Sequence, residues 1–369
     1  MPKYRFTEIA INSTEKKKPT EADKETYIGL EHLDTGTLKV SRWGSDIAPI
    51  GEKLIMKKGD VLFGKRRAYQ KKVGIAPFDG IFSAHGMVLR PREDVVTKEY
   101  FPLFISSDYF LNEAIRISVG SLSPTINWKD LKDLCFELPT LEEQKRIAPI
   151  IWAAIEAKNA YRTLIARADE LVKSQFIEMF GGIKKQSRLD ELCDYFGDGD
   201  WIESKDQSPS GIRLIQTGNV GNGEYRDKDE RARYISEETF QRLNCAEVKE
   251  GDILISRLPD PIGRACILPV IPKSITAVDC TIVRLKKHIL PTYLVWMTKT
   301  PIYTEQIDAF TTGSTRKRIS RANLGSIRVP VPELTLQTEF VALAEQSDKS
   351  KLMMKNIILT GGKKYVTYL

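Results

Sequence analysis

The sequence predicts an α+β protein in which two pseudo-symmetric globular domains are separated by an antiparallel coiled coil of two long helices. Three observations support this prediction: an ordered internal repeat, two long segments with 3-4 apolar spacing, and short apolar strands that follow Gly-Asp turns in both halves. The chain has 369 residues, which is enough for about two domains. Its hydrophobic content of 41% is sufficient for ordinary cores.

The internal repeat consists of short matches that recur in the same order at an offset of about 193 residues. Residues 58–63 (KGDVLF) match residues 250–255 (EGDILI), and Gly120-Ser121 matches Gly313-Ser314. Toward the end of each unit the offset falls to about 180 residues, so the second helix is expected to be shorter. The predicted parts are a globular domain at 1–139, a long helix at 140–182, a second globular domain at 183–332, and a shorter helix with a tail at 333–369.

The first long helix has clear start and stop signals. Thr140 and Glu143 form the spacing of a capping box, directly after Pro139. No glycine follows until Gly181-Gly182, which predicts a helix over residues 142–180. The start of the second long helix lacks a capping box, because Glu333 and Leu336 stand at the two equivalent positions.

A strict 3-4 spacing of mostly apolar residues predicts the seam of the coiled coil. The predicted seam residues are Ile147, Ile150, Ala154, Tyr161, Leu164, Ala168 and Leu171 in the first helix, and Phe340, Leu343, Met354 and Ile357 in the second. Such a pair could also serve as a dimerisation zipper. Because the helices lie between and after two similar units of one chain, we favour intramolecular, antiparallel packing.

Basic residues concentrate after the first Gly-Asp strand, within a chain of net charge +7. Lysine and arginine suit phosphate contacts, and arginine also suits guanine edges, although a solvated basic loop is the plainer interpretation. The predicted DNA-binding residues here are Lys65, Arg66, Arg67, Tyr69, Lys71 and Lys72, with Arg257 and Arg264 after the matching strand.

The two Gly-Ser loops carry different side chains. Hydroxyls, backbone amides and basic groups position phosphates, and two different half-sites would require different loop chemistry on one framework. The predicted contacts are Ser121 and Ser123 in the first loop, and Thr312, Ser314, Arg316, Lys317 and Arg318 in the second.

The run at residues 138–147 (LPTLEEQKRI), the two Gly-Asp strands and residues 27–31 (YIGLE) together resemble the specificity subunit of Type I restriction–modification systems. The resemblance covers essentially the whole chain, but residues 332–337 (PELTLQ) lack the glutamate before the glutamine. It implies two target-recognition domains, each binding half of an interrupted, asymmetric double-stranded DNA sequence. It also implies long helices that act as a ruler and dock two modification (methyltransferase) subunits, with restriction subunits joining.

No enzyme motif emerges from the sequence. There is no Walker A motif, no G-x-G-x-x-G and no Asn/Asp-Pro-Pro-aromatic motif, and the five cysteines form no C-x-x-C pair. We therefore expect a non-catalytic protein without a cofactor or metal of its own; S-adenosylmethionine, Mg²⁺ and ATP would belong to partner subunits. The alternative is a two-module scaffold that binds proteins, which salt dependence would distinguish because DNA binding weakens steeply with salt.

We expect the protein in the cytoplasm. No window approaches the roughly 18 uninterrupted apolar residues of a membrane span, and residues 1–5 (MPKYR) lack the apolar stretch of a signal peptide.

Overall fold

A computed structural model of the chain describes residues 1–259, 261–313 and 317–366, with residues 357–366 as backbone only. The chain forms two compact units, one of residues 1–160 with 357–369 and one of residues 161–356. The division into four parts at 139, 182 and 332 stays a prediction. None of the helices in the described ranges has the length and apolar content to cross a membrane.

The first unit is built on short strands. They are β1 (Lys3–Arg5), β2 (Ala10–Ser13), β3 (Lys16–Lys17), β4 (Tyr27–Ile28), β5 (Lys53–Met56), β6 (Val61–Gly64), β7 (Val73–Ile75), β8 (Gly80–Phe82), β9 (Gly86–Pro91) and β10 (Cys135–Glu137). They form one sheet of order β2-β9-β6-β7, another of order β3-β5-β8-β4, and the pair β1-β10. The helices are α1 (Phe6–Ile9), α2 (Phe101–Ser106), α3 (Asp108–Arg116) and α4 (Trp128–Leu131).

An aromatic cluster fills the core of the first unit between the β6 sheet and the helices. Phe6 and Phe110 pack with ring centroids 5.1 Å apart, and Phe104 and Phe136 pack at 5.3 Å. All four rings are fully buried. Each such side chain removes a large apolar area from water, so this cluster dominates the stability of the unit.

Two long helices, α5 (Leu141–Phe180) and α10 (Leu334–Val366), follow the two sets of strands. The capping box predicted for α5 is present: the Thr140 amide donates to the Glu143 carboxylate at 2.9 Å, and the Glu143 amide donates to the Thr140 hydroxyl at 3.3 Å.

The second unit repeats two of the three sheets of the first. Its strands are β11 (Gln186–Arg188), β12 (Cys193–Asp198), β13 (Ile212–Ile215), β14 (Arg233–Ile235), β15 (Ile253–Ser256), β16 (Ala265–Ile267), β17 (Ser274–Thr276), β18 (Cys280–Leu285) and β19 (Arg328–Pro330). The order β12-β18-β15-β16 reproduces that of β2-β9-β6-β7, and β11-β19 reproduces β1-β10. The third sheet, β14-β13-β17, has three strands. The shorter helices are α6 (Glu237–Arg242), α7 (Pro291–Met297), α8 (Pro301–Phe310) and α9 (Arg321–Gly325).

The Gly-Asp turns of the two units match in structure as well as in sequence. Gly59 and Gly251 both adopt positive φ angles, of 91° and 82°, which favour glycine. The aspartate that follows forms a two-pronged ion pair with an arginine of the central strand: Asp60 with Arg90, and Asp252 with Arg284. The α+β class and the pseudo-symmetry of the two units are thereby confirmed.

The antiparallel packing of the long helices is visible within the second unit. Early in α10, Phe340 packs on Phe176 of α5 with centroids 5.1 Å apart, and later in α10 Lys351 pairs with Asp169, which lies earlier in α5. Positions that ascend along one helix thus meet positions that descend along the other.

The predicted seam was wrong at four positions, where the side chains are exposed: Ile150 (53%), Leu164 (48%), Leu171 (68%) and Leu343 (38%). Along α5 the buried stripe lies one residue further on, through Ala148, Ile151, Val172, Phe176 and Phe180. The first turns of α5 pack into the core of the first unit and its last turns into that of the second, so core packing rather than a strict heptad sets the stripe.

The other predicted seam positions lie closer to the packed face. Phe340 is fully buried, and the half-buried ones are Ile147, Ala154, Tyr161, Ala168 and Met354. The side chain of Ile357 lies outside the described residues.

In each unit two short helices follow each other directly, α2 and α3 in the first and α7 and α8 in the second. Ser107 is extended and its hydroxyl accepts from the Phe110 amide, which starts α3 as a new helix. In the second unit Thr300 is extended and Pro301 begins α8. Local capping chemistry therefore separates the two helices.

Candidate nucleic-acid interface

The basic loop of the first unit, residues 65–72, has a constrained backbone. Arg67 and Lys71 have φ angles of 55° and 49°, which non-glycine residues rarely adopt, and they flank a 3-10 turn at Ala68–Gln70. Ala68 is buried, whereas Arg67 and Tyr69 are exposed. The buried alanine therefore anchors the turn and directs the neighbouring arginine and tyrosine outward.

Backbone hydrogen bonds join the basic loop to the first Gly-Ser loop, residues 119–125. The Ala68 amide donates to the Pro124 carbonyl at 3.2 Å, and the Ile126 amide donates to the Lys65 carbonyl at 2.9 Å. Val119 and Thr125 close the Gly-Ser loop by exchanging two further bonds, of 3.0 and 2.9 Å. The two segments predicted to contact DNA thus form one continuous surface.

The predicted contact residues of this surface divide into two groups. Arg66, Arg67, Tyr69 and Ser121 are exposed, and Ser123 is half-buried. Lys71 and Lys72 instead use their amino groups inside the unit.

Both of these lysines hold the loop in place. The Lys71 ammonium donates to Asp108 and, at 2.9 Å, to Asn112. The Lys72 ammonium donates to the Leu30 carbonyl at 2.6 Å.

His85 joins this surface without any signal in the sequence, because it is an isolated histidine 19 residues from Arg66, which it contacts. Its carbonyl accepts from the Arg66 amide at 3.3 Å, and its Nε2 lies 3.5 Å from Arg66 Nη1. The two residues line a polar cleft of about 400 Å³ with Arg67 and Glu31. Burial, followed by the charges of Arg66 and Lys65, lowers the pKa of His85, so the ring is neutral at pH 7.

The second unit has the same loop connections. The Ile319 amide donates to the Arg257 carbonyl at 3.3 Å, as Ile126 does to Lys65, and Thr312 and Arg318 exchange two bonds as Val119 and Thr125 do. Thr312, Lys317 and Arg318 are exposed. Ser314 and Arg316, also predicted to bind DNA, lie outside the described residues.

The prediction that Arg264 contacts DNA was wrong. Arg264 is only 7% exposed and holds the structure of the second unit together. Its guanidinium donates to five backbone carbonyls at 2.7–3.0 Å, those of Thr217, Val220, Leu258, Pro259 and Pro261. An arginine with its donors occupied in this way holds surrounding loops together and is not available to a DNA base. A buried arginine cannot be distinguished from an exposed one by residue type and position in the chain alone.

Arg257 was also wrongly assigned to DNA contact. It is 9% exposed, and its guanidinium donates to the carbonyls of Val278 at 2.7 Å and Ile319 at 3.4 Å. Its Nε lies 3.4 Å from the Asp198 carboxylate, whose other oxygen lies 3.9 Å from Arg321 Nη1. Arg321, whose side chain is 52% exposed, is a cation of this surface that was not predicted from the sequence.

No group of three or more His, Cys, Asp or Glu side chains is placed to hold a metal ion in the described part of the chain. What the described parts of the two surfaces share is a pair of loops joined by hydrogen bonds that carries exposed cations and hydroxyls. Such groups contact phosphates and base edges.

Comparison with known proteins agrees with this geometry. The family model for the Type I restriction modification DNA specificity domain matches the sequence twice, over residues 5–163 and 184–359. The chain belongs to this family. One match falls on each half of the internal repeat, and the resemblance inferred from the sequence motifs is confirmed. The family is one of DNA specificity domains, so it groups the chain with recognition modules and not with enzymes.

Individual relatives of this specificity-family chain are distant. It is 24% identical over 184 residues to the Type I restriction enzyme EcoDI specificity subunit of Escherichia coli. That alignment covers 48% of this chain and spans 41% of the length of the relative.

Two solved structures show the same fold. The S subunit of a Type I restriction-modification system from M. genitalium matches with a TM-score of 0.53 at 15% identity, over 99% of this chain and 94% of that one. A chain from a structure of the complex assembly and conformational transition of the type I R-M system also matches with a TM-score of 0.53, at 20% identity, over 99% and 97%.

Proposed function

We propose that the protein is a non-catalytic specificity subunit that binds a bipartite, interrupted double-stranded DNA target and directs partner methyltransferase and restriction subunits to it. One observation carries this proposal: both units build the same pair of joined loops and cover them with different side chains. A shared framework keeps the mode of docking constant, and different side chains allow two different half-sites.

The chemistry of the loops supports this interpretation. In the first unit the surface presents Arg66, Arg67 and Tyr69 beside the hydroxyl of Ser121, whereas in the second unit it presents Lys317 and Arg318 beside Thr312. The hydrogen bonds between Ile126 and Lys65, and between Ile319 and Arg257, fix the two loops in each case. Preorganised loops reduce the entropy that binding would otherwise cost.

Partner docking is supported by the exposed apolar side chains of the long helices. Ile150, Leu164 and Leu171 lie on α5 with about half or more of their surface in solvent. We propose that the helices (140–182 and 333–369) space the recognition domains (1–139 and 183–332) and bind two methyltransferase subunits. S-adenosylmethionine, Mg²⁺ and ATP belong to the partner subunits in this proposal, and the assembly acts on DNA in the cytoplasm.

A methylation map of the source genome, with and without the gene, tests the proposal. We expect one interrupted, asymmetric motif to lose its methylation when the gene is removed. Exchanging residues 183–330 for the corresponding part of another family member should then change one half of the motif and leave the other half as it was. If both halves change together, the two units do not read separate half-sites.

If no motif changes, co-purification of the full chain with its methyltransferase decides between two explanations. Recovery of the pair would point to a silent methyltransferase, and its absence would contradict the proposed role. A protein-binding scaffold would instead show binding that does not weaken with salt.

A further inference from the structure

A polar cleft of about 360 Å³ lies in the first unit, where β2 ends beside the basic loop. Its lining includes Asn12, Ser13, Thr14, Lys16, Lys65 and Asn127. Ser13 is only 6% exposed, and its hydroxyl has no hydrogen-bond partner among the residues that the structure describes. A buried hydroxyl without a partner is costly, so a polar group that enters this cleft gains a hydrogen bond there.

Lys65 supplies the positive charge of the cleft. It is half-buried, and within the described ranges its ammonium forms no ion pair or hydrogen bond. Burial lowers the pKa of Lys65, and the positive charge of Lys16 lowers it further. Lys16 lies 3.9 Å from the Glu52 carboxylate, whereas Lys65 has no counter-ion among the described residues, so an anion that enters the cleft would stabilise the charged form of Lys65.

The second unit shows what occupies the equivalent place there. Arg257 corresponds to Lys65, because both carbonyls accept the amide that follows the Gly-Ser loop. Ser13 pairs with Val88 and through it with Leu62, whereas Gly197 pairs with Ile282 and through it with Leu254.

This register makes Ser13 equivalent to Gly197, and Thr14 to Asp198. In the second unit the Asp198 carboxylate lies 3.4 Å from Arg257 Nε. In the first unit a hydroxyl replaces that carboxylate, and the cation beside it is left without its anion.

We infer that this cleft is an anion site, in which a phosphate group takes the place that the Asp198 carboxylate holds in the second unit. The Ser13 hydroxyl and the Lys65 ammonium are its donors, and Asn12 and Asn127 add amide groups at its edge. Because Arg66 follows Lys65 directly on the DNA-facing surface, the phosphate is a phosphodiester of the bound duplex. This last step rests on the proposed function; the anion site itself does not.

Inorganic phosphate is the probe for the site in the free, full-length chain. We expect phosphate to raise the Tm of the wild type saturably, compared with KCl at equal ionic strength, because a ligand that binds the folded state stabilises it. Lys65→Gln and Thr14→Asp should both abolish this shift, the first by removing the cation and the second by supplying the carboxylate. Thr14→Asn, of the same size as Asp but uncharged, should retain it.

DNA binding identifies the source of the phosphate. Lys65→Gln should weaken binding equally for target and unrelated duplexes, and it should reduce the slope of log K against log salt by about 0.9, as expected for one lost phosphate contact. A Tm shift that is lost in Lys65→Gln while the slope stays unchanged would mean that the site takes free phosphate and not DNA.

If phosphate stabilises the wild type and all three variants alike, the anion site is overturned. If the wild type shows the phosphate shift but does not bind DNA, the proposed function fails while the anion site stands.

Discussion

Gln144 and Gln337 make the same three hydrogen bonds at the starts of the two long helices. The Gln144 side chain donates to the carbonyls of Val95 and Pro139, at 3.0 and 2.9 Å, and accepts from the Thr97 amide at 2.8 Å. Gln337 has equivalent partners in His288, Pro332 and Leu290, at 2.9–3.0 Å. Both side chains are fully buried, so each glutamine fixes the first turn of its helix to the globular core from which the helix emerges.

Replacing either glutamine with leucine should destabilise the unit that contains it. The substitution keeps the approximate volume but leaves two carbonyls and one amide buried without partners, which we expect to cost about 2–4 kcal/mol. Urea unfolding of the full chain measures this loss. The matched control is Gln346→Ala on the exposed face of α10, which should be neutral. Equal loss in the control would show that the buried hydrogen bonds are not responsible.

The sequence predicted the repeated Pro and Gln positions and both long helices, because those features depend on local spacing and capping. It did not predict what the glutamines bind, because each bonds residues 47 or 49 positions earlier in the chain. The seam failed at Leu164 and Leu171 for a related reason. A heptad pattern describes two helices in isolation, whereas α5 also packs against globular cores.

The position of the basic loop could be predicted from the sequence. Which of its residues are exposed and which hold the loop in place could not. Arg66 and Arg264 look alike in the sequence, yet one is exposed and the other is enclosed by five carbonyls. Burial of a charge depends on the three-dimensional placement of its partners. The same holds for His85, which lies in the turn between β8 and β9, and for Arg321, which begins α9.

Arg264 should behave as a stability residue. Arg264→Met removes the guanidinium and leaves its buried carbonyls unpaired, and we expect a loss of about 3–5 kcal/mol in the free energy of unfolding of the second unit. Arg264→Lys should recover only part of this, because one ammonium cannot reproduce the planar fork. Thermal and urea unfolding measure the effect. If Arg264→Met folds with normal stability but has lost DNA binding, Arg264 contacts DNA after all.

Arg66 and Arg67 should behave in the opposite way. Their double substitution by glutamine should leave unfolding unchanged to within about 0.5 kcal/mol, because both are exposed. It should weaken DNA binding and reduce the salt slope by up to about 1.8, if each arginine meets one phosphate. Fluorescence anisotropy at several salt concentrations measures the slope. Lys3→Gln, which removes an exposed charge on β1, is the control, and an equal change there would indicate a general effect of net charge.

DNA affinity should rise as the pH falls from about 7 to 5.5. The pKa of His85 is lowered in the free protein by burial and by neighbouring cations, so the ring binds a proton weakly. Bound DNA adds negative charge, which favours the protonated ring, so binding takes up a proton in this range. His85→Gln should abolish most of this dependence. If the wild type and the variant have the same pH profile, His85 does not face DNA.

The same shift has a consequence for the free protein. The unfolded chain binds a proton at His85 more readily than the folded chain does, so stability should decrease as the pH falls below the ordinary histidine value of about 6.5. The loss ends once the pH passes below the lowered folded-state pKa. Comparison of Tm against pH for the wild type and His85→Gln isolates this contribution.

Substitutions around Lys351 test whether an ion pair holds α5 and α10 together in the second unit. Lys351 is 8% exposed, and its ammonium pairs with Asp169 of α5 and Asp348 of α10 at 5.2 Å from the Trp296 ring centroid. The two carboxylate side chains are 39% and 53% exposed, so water can solvate them if the lysine is removed. The buried Lys351 ammonium cannot be solvated in this way if the carboxylates are removed. Lys351→Met should therefore cost less than about 1 kcal/mol, whereas removing both carboxylates should cost about 3–5 kcal/mol, because it leaves a buried charge unpaired.

The triple variant separates charge burial from lost packing. Adding Lys351→Met to Asp169→Asn and Asp348→Asn should recover most of the stability lost through Lys351, since the buried ammonium of that residue is then absent. Urea unfolding of the four proteins supplies the comparison. If the triple variant is as unstable as the double variant, the carboxylates act through packing or helix propensity. If Lys351→Met alone is strongly destabilising, the ion pair itself holds α5 and α10 together, and the desolvation argument is wrong for this site.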